Sequence, residues 1–424
     1  MIISFFLLDF PLPNNRKKTD SLYVSEVNTQ LKRILKAYDY PTFIAIVLLC
    51  LFGLVMVYSS SMIAAVARWD YDIDHFYQNQ KKAMLLSFCA MFFMMIFPYK
   101  FFQNKKFLII IMFGITGLLI FTYLYGHTAG NAQSWLKIGG FSIQPAEFSK
   151  LALIIYLAAI YGKRQDRINN LDKAVMPPII FLVTICLLIG IQPDYGTAAI
   201  VFLISASIVI SSGMTFKGLV KLFSVFLMVG CVAIAGFFVT GNISKIFSAN
   251  KMARVTGFSD PFHAGDSGLQ LANSLLAIGN GGLTGVGLGE STQKYGYLPE
   301  SHTDFIMAII AEELGFFGVA FVLFTLGFIV LRGFILSAKC DDPFGSLLLI
   351  GISSMIGIQV FINVGGVTGL IPITGITLPF VSYGGSSLLL LMTSIGIYQN
   401  VIMRMNLKAQ KEAEEPVIQG LHIH

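Results

Sequence analysis

Asp304-Phe-Ile-Met-Ala-Ile-Ile-Ala-Glu-Glu-Leu-Gly-Phe-Phe-Gly-Val-Ala-Phe-Val-Leu-Phe-Thr-Leu-Gly-Phe-Ile-Val-Leu331 carries three carboxylates and no basic residue in an otherwise apolar run. A run of this length and character crosses a bilayer as a helix. Charge inside lipid is expensive and usually serves a purpose. Asp304 sits at the mouth of this helix, within reach of water. Glu312 lies eight residues on, ~12 Å deeper and about 80° round the axis, and Glu313 points to nearly the opposite side. The two glutamates cannot line one cavity, so pairing with another helix is the favoured reading for them.

Outward from this span, the whole chain has the same character. It is 55% hydrophobic and 12% charged, with a mean hydropathy of +0.74, far from a soluble globular average. The fold expected is an all-α polytopic membrane protein of about ten transmembrane helices: Thr42–Ala64, Ala83–Phe97, Phe107–Tyr125, Ala146–Gly162, Pro177–Ile191, Gly196–Ser212, Leu219–Thr240, Asp304–Leu331, Gly345–Val364 and Thr377–Met403. Lys and Arg concentrate before Tyr40, at 100–106, at 163–173 and after Met403, which puts both termini in the cytoplasm. Residues 1–40 and 405–424 then read as cytoplasmic tails flanking a 41–404 membrane domain. One extracellular loop, about 241–303 between helices 7 and 8, is large. The net charge of +6 reflects loop bias, and no basic, aromatic-interleaved module suggests nucleic acid.

That large loop ends in Tyr297-Leu-Pro-Glu-Ser-His-Thr-Asp304. Ser301, Thr303 or Asp304 would serve as a helix cap. Against this, Glu300, His302 and Asp304 together supply more polar chemistry at the water boundary than a cap needs. Earlier in the loop, Gln270–Ile278 has the spacing of a short amphipathic helix suited to the membrane surface. The glycine-dense Gly279–Gly289 follows no strand, so it matches a nucleotide loop only superficially. It reads either as a flexible connector or as close backbone approach to a headgroup.

Three further polar clusters punctuate the spans. In Gln144-Pro-Ala-Glu147-Phe-Ser-Lys150, Glu147 and Lys150 share a helix face and can pair. Gln192-Pro-Asp194-Tyr-Gly-Thr197 is a tight turn that ends one helix and starts the next. Pro372–Ser387 packs Pro, Gly and Ser into membrane territory, which reads as a broken helix lining a cavity. The five cysteines and six histidines show no pairing or metal spacing.

Taken together these motifs resemble the SEDS family of polytopic cell-wall glycosyltransferases. The resemblance runs from about Tyr40 to Arg404 in the expected order, and Ser291–Tyr297 is more similar to the division-type members than to the elongation-type ones. It implies peptidoglycan polymerisation from lipid II at the outer face of the cytoplasmic membrane, at the division septum. It further implies a class B penicillin-binding protein as crosslinking partner, together with other division proteins. The family's catalytic aspartate falls on Asp304. The candidate substrate-contacting set is Lys81, Lys82, Glu147, Lys150, Asp194, Arg254, Gln270, Ser274, Lys294, Glu300, His302, Thr303, Ser382, Tyr383 and Ser386. Two departures matter. Ser134 stands before Trp135 where members often carry Arg, and Lys81 and Lys82 follow Gln80 where many carry the cations before it. If those cations hold diphosphate, this chain must use Lys81, Lys82, Lys137 or a loop cation.

Glycan extension needs a hydroxyl to attack an anomeric carbon, and a carboxylate in hydrogen-bond reach can take its proton. Lipid diphosphate is already a weak base, so the carboxyl pair of glycosidases is not required. Its charge must still be neutralised by Lys or Arg, or by a divalent ion such as Mg or Mn. The rival classes are a lipid II flippase or other transporter, since transporters share broken helices and intramembrane carboxylates, an elongation-type polymerase, and an inactive division scaffold.

Overall fold

The computed structural model describes residues 31–129, 132–138, 141–165, 176–221, 224, 256–263, 265 and 268–421. These residues are mostly helical. The helices are α1 (Tyr40–Trp69), α2 (His75–Ile96), α3 (Lys105–Tyr125), α4 (Pro145–Lys163), α5 (Met176–Ile191), α6 (Tyr195–Ile210), α7 (Leu269–Gly281), α8 (Ile306–Ala338), α9 (Pro343–Val367) and α10 (Gly385–Leu421). Their starts follow local chemistry. Proline occupies the first turn of α1, α4 and α9, where its missing N–H costs nothing. Asn104, Asp194 and Asp342 cap α3, α6 and α9 with side-chain oxygens.

Six helices, α1, α3, α4, α8, α9 and α10, are long and apolar enough to cross a membrane; α5 and α6 are apolar but shorter. Nine of the ten expected spans coincide with described helices, while the seventh, Leu219–Thr240, lies mostly outside the described residues. Helix α2 begins at His75, eight residues before the expected Ala83, because polar residues 78–82 extend the helix beyond its apolar half. The expectation of an all-helical chain needs one correction. A three-stranded antiparallel sheet of β1 (His127–Ala129), β2 (Ala132–Ile138) and β3 (Phe141–Ile143) joins α3 to α4.

Helix α4 is buried over nearly its whole length, and α9 and α10 are mostly buried around it. Leu153, Ile154, Leu157, Ile352, Met355 and Ile395 meet in this core. By contrast α3 and α8 present exposed Ile110, Phe113, Phe316, Phe317, Phe324 and Leu331. Such apolar outer surface suits a lipid surround. At the far end of α8 from Asp304, Arg332 forks onto Asp39 with Nε 2.8 and 2.9 Å and a terminal nitrogen 2.6 Å from the carboxylate oxygens. Gln399 of α10 exchanges two hydrogen bonds with the Asp39 backbone, so three helices are tied at one point.

The glycine-dense run has a role different from both sequence readings. Helix α8 is broken at Gly315, whose φ of 61° and ψ of −155° lie in territory essentially reserved for glycine. Breaking the helix frees carbonyls that its own N–H groups would otherwise bond. Val286 N–H donates to Glu312 O at 2.9 Å, Gly287 N–H to Glu313 O at 3.0 Å, and Phe316 N–H to Gly282 O at 3.0 Å. The loop is spliced into the break, backbone on backbone. A Cβ at Gly285 would collide with the Glu313 carbonyl, and one at Gly315 with the Gly285 amide. The close approach at Gly285 is to a helix. Helix α7, expected at the membrane surface, packs on α8 and α9 through Leu271, Ala272, Ser274 and Ala277.

Candidate functional site

Asp304 belongs to a segment pinned from several sides. The Glu312 carboxylate accepts from Ser291 Oγ, from Thr292 Oγ1 at 2.8 Å and from Thr292 N–H at 3.2 Å. Glu313 takes Lys294 Nζ at 2.9 Å and Ser59 Oγ of α1 at 2.7 Å. The two intramembrane glutamates are therefore consumed in anchoring the 291–294 turn. Further along, Ser301 Oγ donates to Ser60 O at 2.9 Å. Tyr383 N–H donates to His302 O at 2.9 Å, and Ser382 Oγ to Thr303 O at 2.6 Å. Asn363 of α9 donates to Asp304 O at 2.7 Å. Residues 301 to 304 are thus tied to α1, to the 382–383 segment and to α9.

The Pro372–Ser387 stretch supplies two of these ties, and it is not a broken helix. It is an irregular connector up to Gly384, after which α10 begins. Its backbone groups are met by partners, as its burial requires. Gln80 of α2 donates to Ser382 O at 3.2 Å and accepts from Gly384 N–H at 3.2 Å. The connector lies so close to α1 that a Cβ at Gly53 would stand 2.7 Å from Val381 Cα.

Two faces result. On one, His302 is buried among Trp69, Phe76 and Tyr383, with ring centroids at 5.8, 4.5 and 5.6 Å. Its Nδ1 has no hydrogen-bond partner. Burial, helped by Arg68, pushes the imidazole down to about 4. On the other face the half-buried Asp304 stands on the wall of a shallow, open depression with a cavity volume of about 10 Å³, shared with Asn363, Gly366 and the 373–376 segment. The N-cap of α8 is Phe305, with no side-chain cap bond. Thr303 Oγ1 instead lies 3.0 Å from Asp304 Oδ1 and 2.9 Å from Glu300 Oε2, and its single proton serves one carboxylate at a time.

The structure thus brings Glu300, His302, Thr303, Asp304, Ser382 and Tyr383 together, with Ser386 buried at the start of α10. Glu147, Lys150 and Asp194 form a second cluster. Lys150 Nζ lies 2.7 Å from Glu147 Oε1 with no exposed side-chain surface, and Gln144 donates to Asp194 at 2.8 Å. Burial raises the Asp194 carboxyl above the usual range, and nearby Glu147 adds to it. This cluster reaches the pocket through Gly196, where a Cβ would lie 3.1 Å from Thr374 O. Ser274 donates to Val367 O at 2.8 Å, on the pocket wall, while Gln270 is half-buried one turn earlier on α7.

The expected cations sit elsewhere. Lys81 and Lys82 are exposed on α2, and Lys137 is exposed on β2. Lys294 has all three donors engaged, by Glu313, by Ser59 at 3.3 Å and by Gly289 O at 2.6 Å. Its ammonium is fully buried, so it has no proton left for a headgroup. Arg254 lies outside the described residues. No described lining residue of the pocket is Lys or Arg. Asn363 and the Ser59–Ser60 pair were missed by the sequence reading. An amide and adjacent hydroxyls inside apolar helices were the available signal.

Fold and site define a polytopic helical membrane protein with a carboxylate pocket built where two irregular segments meet. The chain belongs to the FtsW, RodA and SpoVE family, described as "Cell cycle protein", which matches residues 40–407. It is 53% identical to the probable peptidoglycan glycosyltransferase FtsW of Bacillus subtilis, over 91% of this chain and 96% of the relative. To the stage V sporulation protein E of the same organism it is 39% identical, over 86% and 96%. Among solved structures it is similar to one described as "Structural coordination of polymerization and crosslinking by a peptidoglycan synthase complex". The TM-score is 0.68 at 25% identity, covering 87% of this chain and 98% of that one. The rod shape determining protein RodA of Thermus thermophilus shares the fold, with a TM-score of 0.58 at 24% identity over 87% and 97%.

Proposed function

We propose that this chain is a peptidoglycan glycosyltransferase that polymerises lipid II during division, with Asp304 as general base. The names of its relatives support the activity. One observation carries the assignment of the base: Asp304 stands on a pocket wall, where Glu312 and Glu313, deeper in the helix that follows, do not reach. In the step proposed, a sugar hydroxyl of one lipid-linked unit attacks the anomeric carbon of another. The new C–O bond forms as the old bond to phosphate breaks, the diphosphate leaves with the electron pair, and the hydroxyl proton passes to Asp304. Pinning of residues 301–304 holds that carboxylate ready without reorganisation.

Diphosphate charge needs a counter-charge. Lys81 and Lys82, exposed on α2 directly after the Gln80 that holds the Ser382–Gly384 connector, are the described cations proposed for it. A divalent ion accompanying the diphosphate would draw ligands chiefly from phosphate oxygens, since the described residues bring no three of His, Cys, Asp or Glu together. Charge bias in the loops supports cytoplasmic termini, a membrane domain over 41–404 and a pocket on the outer side. The crosslinking partner proposed is a class B penicillin-binding protein, and the site of action is the septum.

The test is polymerisation of lipid II by the purified full chain with its transpeptidase in liposomes. Asp304→Asn should fold, bind the partner and make no glycan. Normal polymer from that variant would remove the base. Headgroup translocation without polymer from the unaltered chain would favour a flippase.

A further inference from the structure

The pocket wall holds a group that the proposed chemistry has not used. Asn363 is 3% exposed, and its Nδ2 donates to both Asp304 O and Ile376 O, each at 2.7 Å. Two carbonyl acceptors fix the orientation of this amide, because its oxygen could bond neither of them. Oδ1 therefore points away from the clamp, is buried, and has no hydrogen-bond partner. Buried amide oxygens are normally satisfied, and leaving one bare is unfavourable until a donor arrives. Other buried amides share this lack, among them Gln192, Gln293 and Gln359. What separates Asn363 is its place: it lines the same depression as Asp304, and those three do not.

The remaining wall narrows the kind of donor. Beside Asp304 it is formed by glycine backbone and apolar side chains, with Thr374 adding one hydroxyl. No described lining residue supplies N–H₃⁺ or guanidinium to Oδ1. A wall with one carboxylate, one amide oxygen and one hydroxyl suits the edge of an amino sugar, whose rim carries several O–H groups and an acetamide N–H. We infer that Asn363 determines specificity, its Oδ1 accepting a hydrogen bond from a sugar hydroxyl or acetamide N–H held against Asp304. This rests on the polymerase reading. In it Nδ2 positions the Asp304 backbone while Oδ1 reads the sugar. One side chain then couples base placement to substrate identity.

The experiment uses the full chain with its transpeptidase in liposomes, fed lipid II or analogues with one sugar hydroxyl replaced by fluorine, or the acetamide nitrogen methylated. The attacking hydroxyl is kept in every analogue. One analogue should lose about 10- to 100-fold in kcat/KM, the effect of stranding a buried acceptor. In Asn363→Ala the ratio between lipid II and that analogue should collapse to within about twofold. Asn363→Asp, which keeps an acceptor but loses the clamp, should preserve the ratio while lowering both rates. A purely structural role would lower the rates and leave the ratio unchanged in the alanine variant, and that result overturns the inference. So does rescue of Asn363→Ala by added Mn²⁺ with an unchanged ratio, which would make Oδ1 an ion ligand. Should neither variant fold, the panel on the unaltered chain decides, and no analogue weakened beyond about twofold sinks the proposal. Absence of any polymer from lipid II itself would instead count against the polymerase reading.

Discussion

The Lys294 ammonium lies 2.9 Å from Glu313 Oε1, two residues before the break in α8, with neither side chain exposed at all. This pair joins the turn ahead of Asp304 to the helix behind it, and Ser59 brings in α1 as a third member. Removing one partner strands a buried charge, which costs about 3–5 kcal/mol. Lys294→Ala should therefore lower the melting temperature of the detergent-solubilised protein sharply or prevent accumulation. Lys294→Met combined with Glu313→Gln removes both charges and should recover most of that loss. The double variant should also polymerise lipid II, because no proton of Lys294 is left for substrate. A double variant that is stable but inactive would return Lys294 to the headgroup.

Gly315 tests the splice. Any side chain there meets the Gly285 amide, and its φ of 61° with ψ of −155° is a region L-residues avoid. Gly315→Ala should cost at least about 1–3 kcal/mol from backbone strain alone, more with the collision. Gly282→Ala is the control. It shares the loop and a positive φ, yet a Cβ there meets nothing within 4 Å. Thermal melts should rank Gly315→Ala well below Gly282→Ala. Equal melts would mean that the loop and the break are not interlocked.

Much of this molecule was legible from composition and hydrophobic run length, because lipid imposes long apolar helices and penalises exceptions. The Asp304 motif stood out for the same reason. What stayed hidden was which backbone a glycine faces. Gly279–Gly289 and Gly315 are 26 or more residues apart at the nearest functional point, and only the folded chain shows each as the reason for the other. Lys294 misled for a related reason. A lysine in a loop beside an aspartate reads as a headgroup cation until its counter-charge, Glu313, is seen just ahead of the helix break. Asn363 passed unnoticed because one amide in an apolar helix carries no spacing pattern.

Buried His302 gives the fold an acid sensitivity with a defined sign. Its imidazole is held at about 4 by burial and by Arg68, against about 6.5 in an unfolded chain. Above pH 6.5 both states are neutral at this site, and its contribution to stability is full. As pH falls from 6.5 towards 4 the unfolded chain gains the proton first, so stability drops, by roughly 3 kcal/mol in all. Below pH 4 the folded state is protonated too, and the loss levels off. His302→Phe keeps an aromatic ring among Trp69, Phe76 and Tyr383 and removes the titration. Melting temperatures of the two proteins, taken from pH 7 down to pH 4, should therefore converge or cross as the unaltered chain weakens faster. Parallel curves across that window would place the imidazole in contact with water and deny it this role.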